Sequence, residues 1–550
     1  MSNSLVPLKR VPTGIPNLDA ILEGGLIQNS INVVAGPPGT GKTVLAQQIV
    51  FNNANATSRM PYLVTVSEPT VKILRFSQNF AFFDPDMVGD QVIYLDIGST
   101  LLEGGLEAVT DQIEAYTKAY SPTILAIDSF KAIHEITDSA PQIREFTYRL
   151  AISLTTWGTT TLLIGEYNRD TVNTEPIFAI ADTIIYMDQE SRGMNTFRTL
   201  EVLKMRGSGY FAGKHPFRIS DKGMIVYPRL RTTPFQNMIP SDVGASRISL
   251  GINQLNAMMS GGPLSATTTL VAGSAGTGKT LLGLHFLLEG ISRGEPGLMV
   301  TFQETPTMLA SFARGFGWDL VSLQKEGLLH VLYTSPVELS VDEHTHMIRS
   351  VVESAGIRRI VMDSLKDLES ATMDKARYKD YVYSLASEFR YQGITSLMTS
   401  EIPELFGPFT VSEHGISFVA DNVIILRYVE LAGRVARAIS VMKMRGSDHD
   451  KAVREYRITA DTGLGILHPF EDHDKVLTGT TTSNTSMLPL RARRLLRILS
   501  GTNGLTVAEL SEQVQESPTE TNTALETLVQ LGYLIRQEQG GIFIYRTTIA

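Results

Sequence analysis

The sequence predicts an α/β protein: two tandem copies of one P-loop domain, each a mostly parallel sheet between helices, with a small winged helix-turn-helix module at the C-terminus. Three observations predict it. The chain repeats itself at a nearly constant offset, each copy alternates apolar runs with helical periodicity, and a Thr/Ser/Asn/Gly tract sets off the C-terminal region. A length of 550 residues rules out a single hydrophobic core. The composition, 43% hydrophobic and 19% charged with mean hydropathy +0.02, is that of a globular chain. Zero cysteines exclude disulfides, thiolate metal sites and a cysteine nucleophile. The start lacks an apolar leader and no run reaches the ~18 apolar residues of a membrane span, so a cytoplasmic location is expected. A formal charge of −9 argues against a protein that coats nucleic acid.

The repeat fixes the domain count. GPPGTGKT at 36–43 recurs as GSAGTGKT at 273–280, and Gly24-Gly25 as Gly261-Gly262, both 237 positions on. Asp128-Ser129 recurs as Asp363-Ser364, 235 positions on, and KMRGS recurs with Lys204 and Lys443 239 apart. Within each copy, runs 31–35 and 268–272 lead into the Gly-rich loops, and 44–51 and 281–289 carry helical periodicity after them. Further strand-like runs are expected at 62–66, 123–127 and 160–164, with counterparts at 298–302, 359–362 and 395–398. Runs this apolar fit strands buried on both faces, hence a parallel sheet. Segment 228–247, rich in Pro, Thr and Arg, joins the copies, and 478–486 is a linker of Thr, Gly, Ser and Asn only. Beyond it, three helices (489–499, 507–514, 519–531) and a hairpin (533–536 and 542–546) give the winged module. The expected domains are 1–234 and 235–475, a linker at 476–487 and the module at 488–550.

Both loops match G-x-x-x-x-G-K-[ST] between a strand and a helix. Gly39, Thr40, Gly41 and Val44, with Gly276, Thr277, Gly278 and Leu281, offer backbone N–H groups to phosphate oxygens at a helix N-terminus. Lys42 and Lys279 can reach the β- and γ-phosphates of ATP, and Thr43 and Thr280 can ligate Mg²⁺. Asp128 and Asp363 end apolar strands, where a carboxylate holds Mg²⁺ or its water, the alternative being a helix cap. Hydrolysis also needs a group that deprotonates water. Glu68 and Glu304 follow the strand after each loop helix, but Ser67 and Gln303 beside them cannot act as carboxylate bases. Glu166 and Glu401 end later strands and are further candidates. In KMRGS, cations two apart share one side of a strand, suiting an anion or, alternatively, a charge-protected edge; an arginine supplied by a neighbouring subunit would explain the recurrence. Asp342-Glu343-His344-Thr345-His346 reads as a solvated helix rather than a metal site, and Trp318 as core.

These residues, together with TFQETP, FARGFGWDL, DNVIILRYVE and KMRGSDHDKAVREY, resemble the KaiC family of double-domain RecA-like ATPases, which includes the cyanobacterial circadian clock kinase; the resemblance covers about residues 8–470. It implies a double-ring homohexamer with ATP between subunits. It further implies that Lys204, Met205, Arg206 and Ser208 in the first ring, and Arg437, Lys443, Met444, Arg445, Ser447, His449 and Lys451 in the second, reach a neighbour's nucleotide. The family hydrolyses ATP in the first ring and runs autokinase and phosphatase chemistry in the second. This chain departs from it where two adjacent glutamates are expected, at Ser67-Glu68 and Gln303-Glu304, and where the family's Ser-Thr phosphoacceptor pair aligns with Ser417-Phe418, leaving Ser417 alone to accept phosphate. The family's C-terminal tail is replaced by the linker and module.

From 487 to 550 there are six arginines, no lysine and six glutamates, and the expected recognition helix carries Glu520 and Glu526 but no cation. DNA binding depends on phosphate neutralisation, so a protein partner for the module is favoured over DNA. The expectation is an ATP-dependent hexameric ATPase with weak serine autokinase activity that signals its state through the module. The alternatives are an inert nucleotide-gated scaffold and a RecA-like DNA-binding ATPase.

Overall fold

The computed structural model describes residues 8–56, 58–65, 69–136, 139–192, 195–230, 246–336, 339–372, 375–402, 419–431, 434–470, 488–500, 502, 504–531, 533–539 and 542–547. The chain divides into two compact units, 1–233 with 334–351, and 234–333 with 352–550.

The first unit is built on a nine-stranded sheet. Its order is Gly223–Val226, Lys214–Ser220, Asn195–Met205, Thr183–Arg192, Ile31–Gly36, Thr160–Glu166, Ile124–Asp128, Met60–Val64, Val92–Asp96. The six strands from Thr183–Arg192 to Val92–Asp96 run parallel, and the other three add antiparallel at one edge. Side chains alternate across this sheet as period two requires. Val34, Tyr62 and Ile164 pack with Leu45 and Ile49 of helix Lys42–Asn53 on one face. Val33, Leu63 and Leu163 pack on the other against helices Gly98–Tyr120 and Ala140–Thr156. Both faces are covered, which is why the strands read as continuous apolar runs.

The second unit repeats the plan: Leu329–Tyr333, Gly297–Thr301, Arg359–Asp363, Thr395–Glu401, Thr268–Gly273, Asn422–Leu431, then antiparallel Arg434–Met444, Arg454–Thr459 and Gly463–Pro469. Trp318 is only half buried: it packs beside Phe316 on this unit's core and meets His285 edge-on at 4.9 Å.

One expectation is overturned. Helix Val341–Ala355 forms, but its start is no solvated face, because Asp342, His344 and Thr345 are buried in the first unit. Asp342 accepts the Leu230 N–H at 3.2 Å, Glu343 pairs with Arg218 at 2.7 Å, and the His346 ring meets Tyr227. Polar partners there let charged residues be buried.

The C-terminal residues form helices Leu490–Ser500, Val507–Val514 and Pro518–Gln530 with a three-stranded sheet in the order Leu505–Thr506, Ile542–Thr547, Leu534–Gln539. They enclose their own core around Leu495, Leu510, Leu525 and Leu528. Among the described residues no helix is long and apolar enough to cross a membrane.

Candidate nucleotide sites

In each unit the central strand delivers the chain into a tight loop and then a helix. Gly41 and Gly278 cap helices Lys42–Asn53 and Lys279–Ser292 with φ of 97° and 92°, in the left-handed region where only glycine sits without strain. A Cβ on Gly41 would lie 2.4 Å from Ile219, and one on Gly278 2.9 Å from Ile458, so the antiparallel hairpin of each unit closes against its own loop.

The loop lysines are folded inward. Lys42, 7% exposed, donates to the Pro37 carbonyl at 2.7 Å, and Lys279 to the Gly273 and Ser274 carbonyls at 2.9 Å each. Burial lowers both ammonium pKa values; Glu166 with Asp128, and Glu401 with Asp363, oppose the lowering by their charge. Those glutamates stand beside the loops in register, Glu166 opposite Gly36 and Glu401 opposite Gly273. Thr40 and Thr277 brace the loops through bonds to Pro37 and Ser274 carbonyls, at 2.9 and 2.7 Å.

Thr43 Oγ1 donates to Asp128 Oδ2 at 2.8 Å, and Thr280 Oγ1 to Asp363 Oδ2 at 2.6 Å. A hydroxyl and a carboxylate converging beside a phosphate loop are the hard oxygen donors that suit Mg²⁺. The sites differ in what else holds the aspartate: the Tyr62 hydroxyl at 2.8 Å in the first, the Thr399 hydroxyl in the second.

Glu304 lies close enough to Asp363 to feel its charge, and burial together with that charge raises its carboxyl pKa. Its Oε2 is buried without a hydrogen-bond partner among the described residues. Gln303 donates its amide to Asp367 at 3.0 Å. Glu68 and Ser417 lie outside the described residues.

The KMRGS residues sit at the other end of each sheet. Met205 pairs with Thr183, level with Asn32, and Met444 with Asn422, level with Thr269; four residues of strand, roughly 13 Å, separate each from the loop of its own unit. Both methionine side chains are buried in the cores. Lys204 donates to the Phe178 carbonyl at 3.2 Å and Lys443 to Ala420 at 2.7 Å. Arg206 faces Asp182 at 3.5 Å, and Arg445 faces Asp421 at 3.8 Å. Those two aspartates also accept the first amide of the central strand, from Ile31 and Thr268, each at 3.0 Å. Ser208 accepts from Arg10 and Ser447 from Arg247. His449 is half buried and Lys451 exposed.

Arg437 lies at the loop end instead. Its guanidinium stacks over Tyr428 at 5.5 Å, whose hydroxyl is 2.8 Å from where a Gly276 Cβ would be. Its Nε and that of Arg198, 239 residues earlier, are both buried without a hydrogen-bond partner among the described residues. Arg198, Asp182, Asp421, Arg10 and Arg247 escaped the sequence reading, although each recurs at the repeat offset.

A family model described as KaiC ATPase matches residues 11–231 and 248–471. The chain is 29% identical over 515 residues to the circadian clock oscillator protein KaiC of Picosynechococcus sp., covering 91% of this chain and 97% of that one. It is 30% identical over 492 residues to KaiC of Thermostichus vulcanus, covering 87% and 93%. To the circadian clock protein KaiC3 of Synechocystis sp. it is 30% identical over 489 residues, covering 86% and 94%. Two matched domains, each with loop, lysine and strand-end aspartate in one geometry, place this chain in the KaiC ATPase family.

Proposed function

We propose that both repeats bind Mg-ATP and hydrolyse it slowly at the interfaces of a ring of six chains, the second repeat carrying a weak autokinase activity on Ser417. The observation that carries the assembled reading is the position of Lys204, Arg206, Lys443 and Arg445, at the sheet end remote from their own loops. Cations so placed can serve a phosphate group only if it belongs to another copy, and subunits repeating head to tail around a closed ring supply one.

In this reading Lys42 and Lys279 exchange their carbonyl contacts for the β- and γ-phosphates. Thr43 with Asp128, and Thr280 with Asp363, hold Mg²⁺, which neutralises charge on those phosphates. Water attacks Pγ, the bond from Pγ to the bridging oxygen of ADP breaks, and the water proton passes to Glu304, whose raised pKa makes it a stronger base than an exposed glutamate. Glu68 takes the same role in the first repeat. Transfer to the Ser417 hydroxyl instead of water gives the autokinase product.

The C-terminal module is read as a winged helix that binds protein rather than DNA. Two of its six arginines are paired within it: Arg536 with Glu526 at 2.6 Å, and Arg491 with Glu516 at 2.6 Å. With six arginines against six glutamates, residues 487–550 carry no net charge with which to neutralise phosphates.

Phosphate release and native mass, measured with Mg-ATP on this chain and on its Lys42→Ala, Lys279→Ala and double variants, test the proposal. Each single variant should lose one share of the release and the double variant nearly all. Equal release from all four, or a monomer in the presence of nucleotide, refutes it.

A further inference from the structure

We propose that Asp367 is a positioning residue of the second nucleotide site, which holds the Gln303 amide so that its oxygen, not its nitrogen, faces the water attacking ATP. The proposal rests on hydrolysis at the second repeat.

Gln303 follows strand Gly297–Thr301, beside Glu304, and its side chain is exposed. Asp367 lies one turn into helix Leu365–Ala371, which starts just after Asp363 and Ser364, and is 8% exposed. Both oxygens of its carboxylate are engaged: Oδ2 accepts the Ser364 hydroxyl at 2.8 Å and Oδ1 the Gln303 amide at 3.0 Å. The Asp367 N–H also returns to the Ser364 carbonyl at 3.2 Å, so the carboxylate is fixed to the segment that presents Asp363. An ionised carboxylate only accepts, so the amide must turn its NH₂ toward Asp367 and leave Oε1 as the free acceptor. A glutamine held this way can orient water, while the proton goes to Glu304.

The pair belongs to the second repeat alone. The corresponding positions in the first repeat are Ser67 and Ala132, so amide and carboxylate are present together in one copy and absent together from the other. The arrangement also has a consequence for any attempt to install a carboxylate base here. Gln303→Glu would set two carboxylates about 3 Å apart, and like charges at that spacing do not both ionise near neutral pH.

Four variants test the relay, with release counted above the Lys279→Ala background. Asp367→Ala should lower kcat about tenfold while KM for ATP stays within about twofold, and Asp367→Asn, which can still accept the Gln303 N–H, should keep most of the rate. Gln303→Glu should stay slow at pH 8, whereas Gln303→Glu/Asp367→Asn, which exchanges amide and carboxylate, should exceed it at least tenfold. A second measurement needs no nucleotide: relative to the parent, the Gln303→Glu melting temperature should fall as pH rises from 5 to 8, and the double variant should abolish that slope. Unchanged kcat in Asp367→Ala, or a Gln303→Glu melting difference independent of pH, overturns the proposal. Parent release no higher than that of Lys279→Ala overturns the hydrolysis reading instead, and the melting series then decides the relay alone.

Discussion

Lys42 and Lys279 are desolvated cations whose only hydrogen bonds among the described residues are to loop carbonyls, so each loop holds an unfavourable charge that a phosphate would relieve. The direction of the pKa shift fixes the sign of a stability effect. A lysine whose native pKa lies below its unfolded value binds protons more weakly when folded. It therefore lowers stability wherever both states are charged, and the loss fades as pH rises toward the unfolded value. Lys279→Met, which keeps the aliphatic stem and removes the charge, should leave the nucleotide-free protein with an equal or higher melting temperature at pH 7. It should also remove the stabilisation ATP gives that site, about 2.7 kcal/mol at a hundredfold excess over Kd. Calorimetry with and without Mg-ATP measures both. A large drop in the nucleotide-free melting temperature would show that the lysine is structural.

At the scale of elements, helix Val507–Val514 is anchored by a capping box in which the Thr506 hydroxyl and the Glu509 carboxylate satisfy each other's backbone N–H groups. Thr506→Ala should lower the stability of the C-terminal module by about 1 kcal/mol, read from faster amide exchange in that helix, with nucleotide binding unchanged. The helix at 507–514 was legible in the sequence. Central strands were legible too, because burial on both faces leaves continuous apolar runs such as 124–127. Edge strands Val92–Asp96 and Leu329–Tyr333, and the antiparallel hairpins, were not read: the edge strands are only partly buried, and the hairpin strands mix polar with apolar residues. The same division holds in the sites. Lysine, threonine and aspartate announced themselves through a duplicated motif. Gln303 and Asp367 are 64 residues apart and meet only because Thr301 and Asp363 are partners on adjacent parallel strands. Asp182 and Asp421 anchor the first amide of the central strand, a role that strand pairing alone discloses.

For the whole molecule the decisive question is whether a site is completed within a chain or between chains, and the two copies of KMRGS turn it into arithmetic. If Arg445 serves its own chain's loop, then a chain with Arg445→Ala and a chain with Lys279→Ala each lack a working second site, and no mixture repairs either. If Arg445 serves a neighbour, the interface between an Arg445→Ala chain contributing its loop and a Lys279→Ala chain contributing its arginine is intact. In a ring assembled at random from equal amounts, half the loops are sound and half of their neighbours carry the arginine, so about a quarter of the second-repeat sites work. Co-expressing the two chains with different tags, purifying through both and measuring phosphate release should therefore give about a quarter of the second-repeat rate above a chain carrying both substitutions. The same design with Lys42→Ala and Arg206→Ala reports on the first repeat. Sheet register leads us to expect recovery in both, because Met205 and Met444 lie level with the start of the central strand while the loops leave its end. Activity no higher than the doubly substituted chain would mean that these arginines hold Asp182 and Asp421 in place and touch no nucleotide.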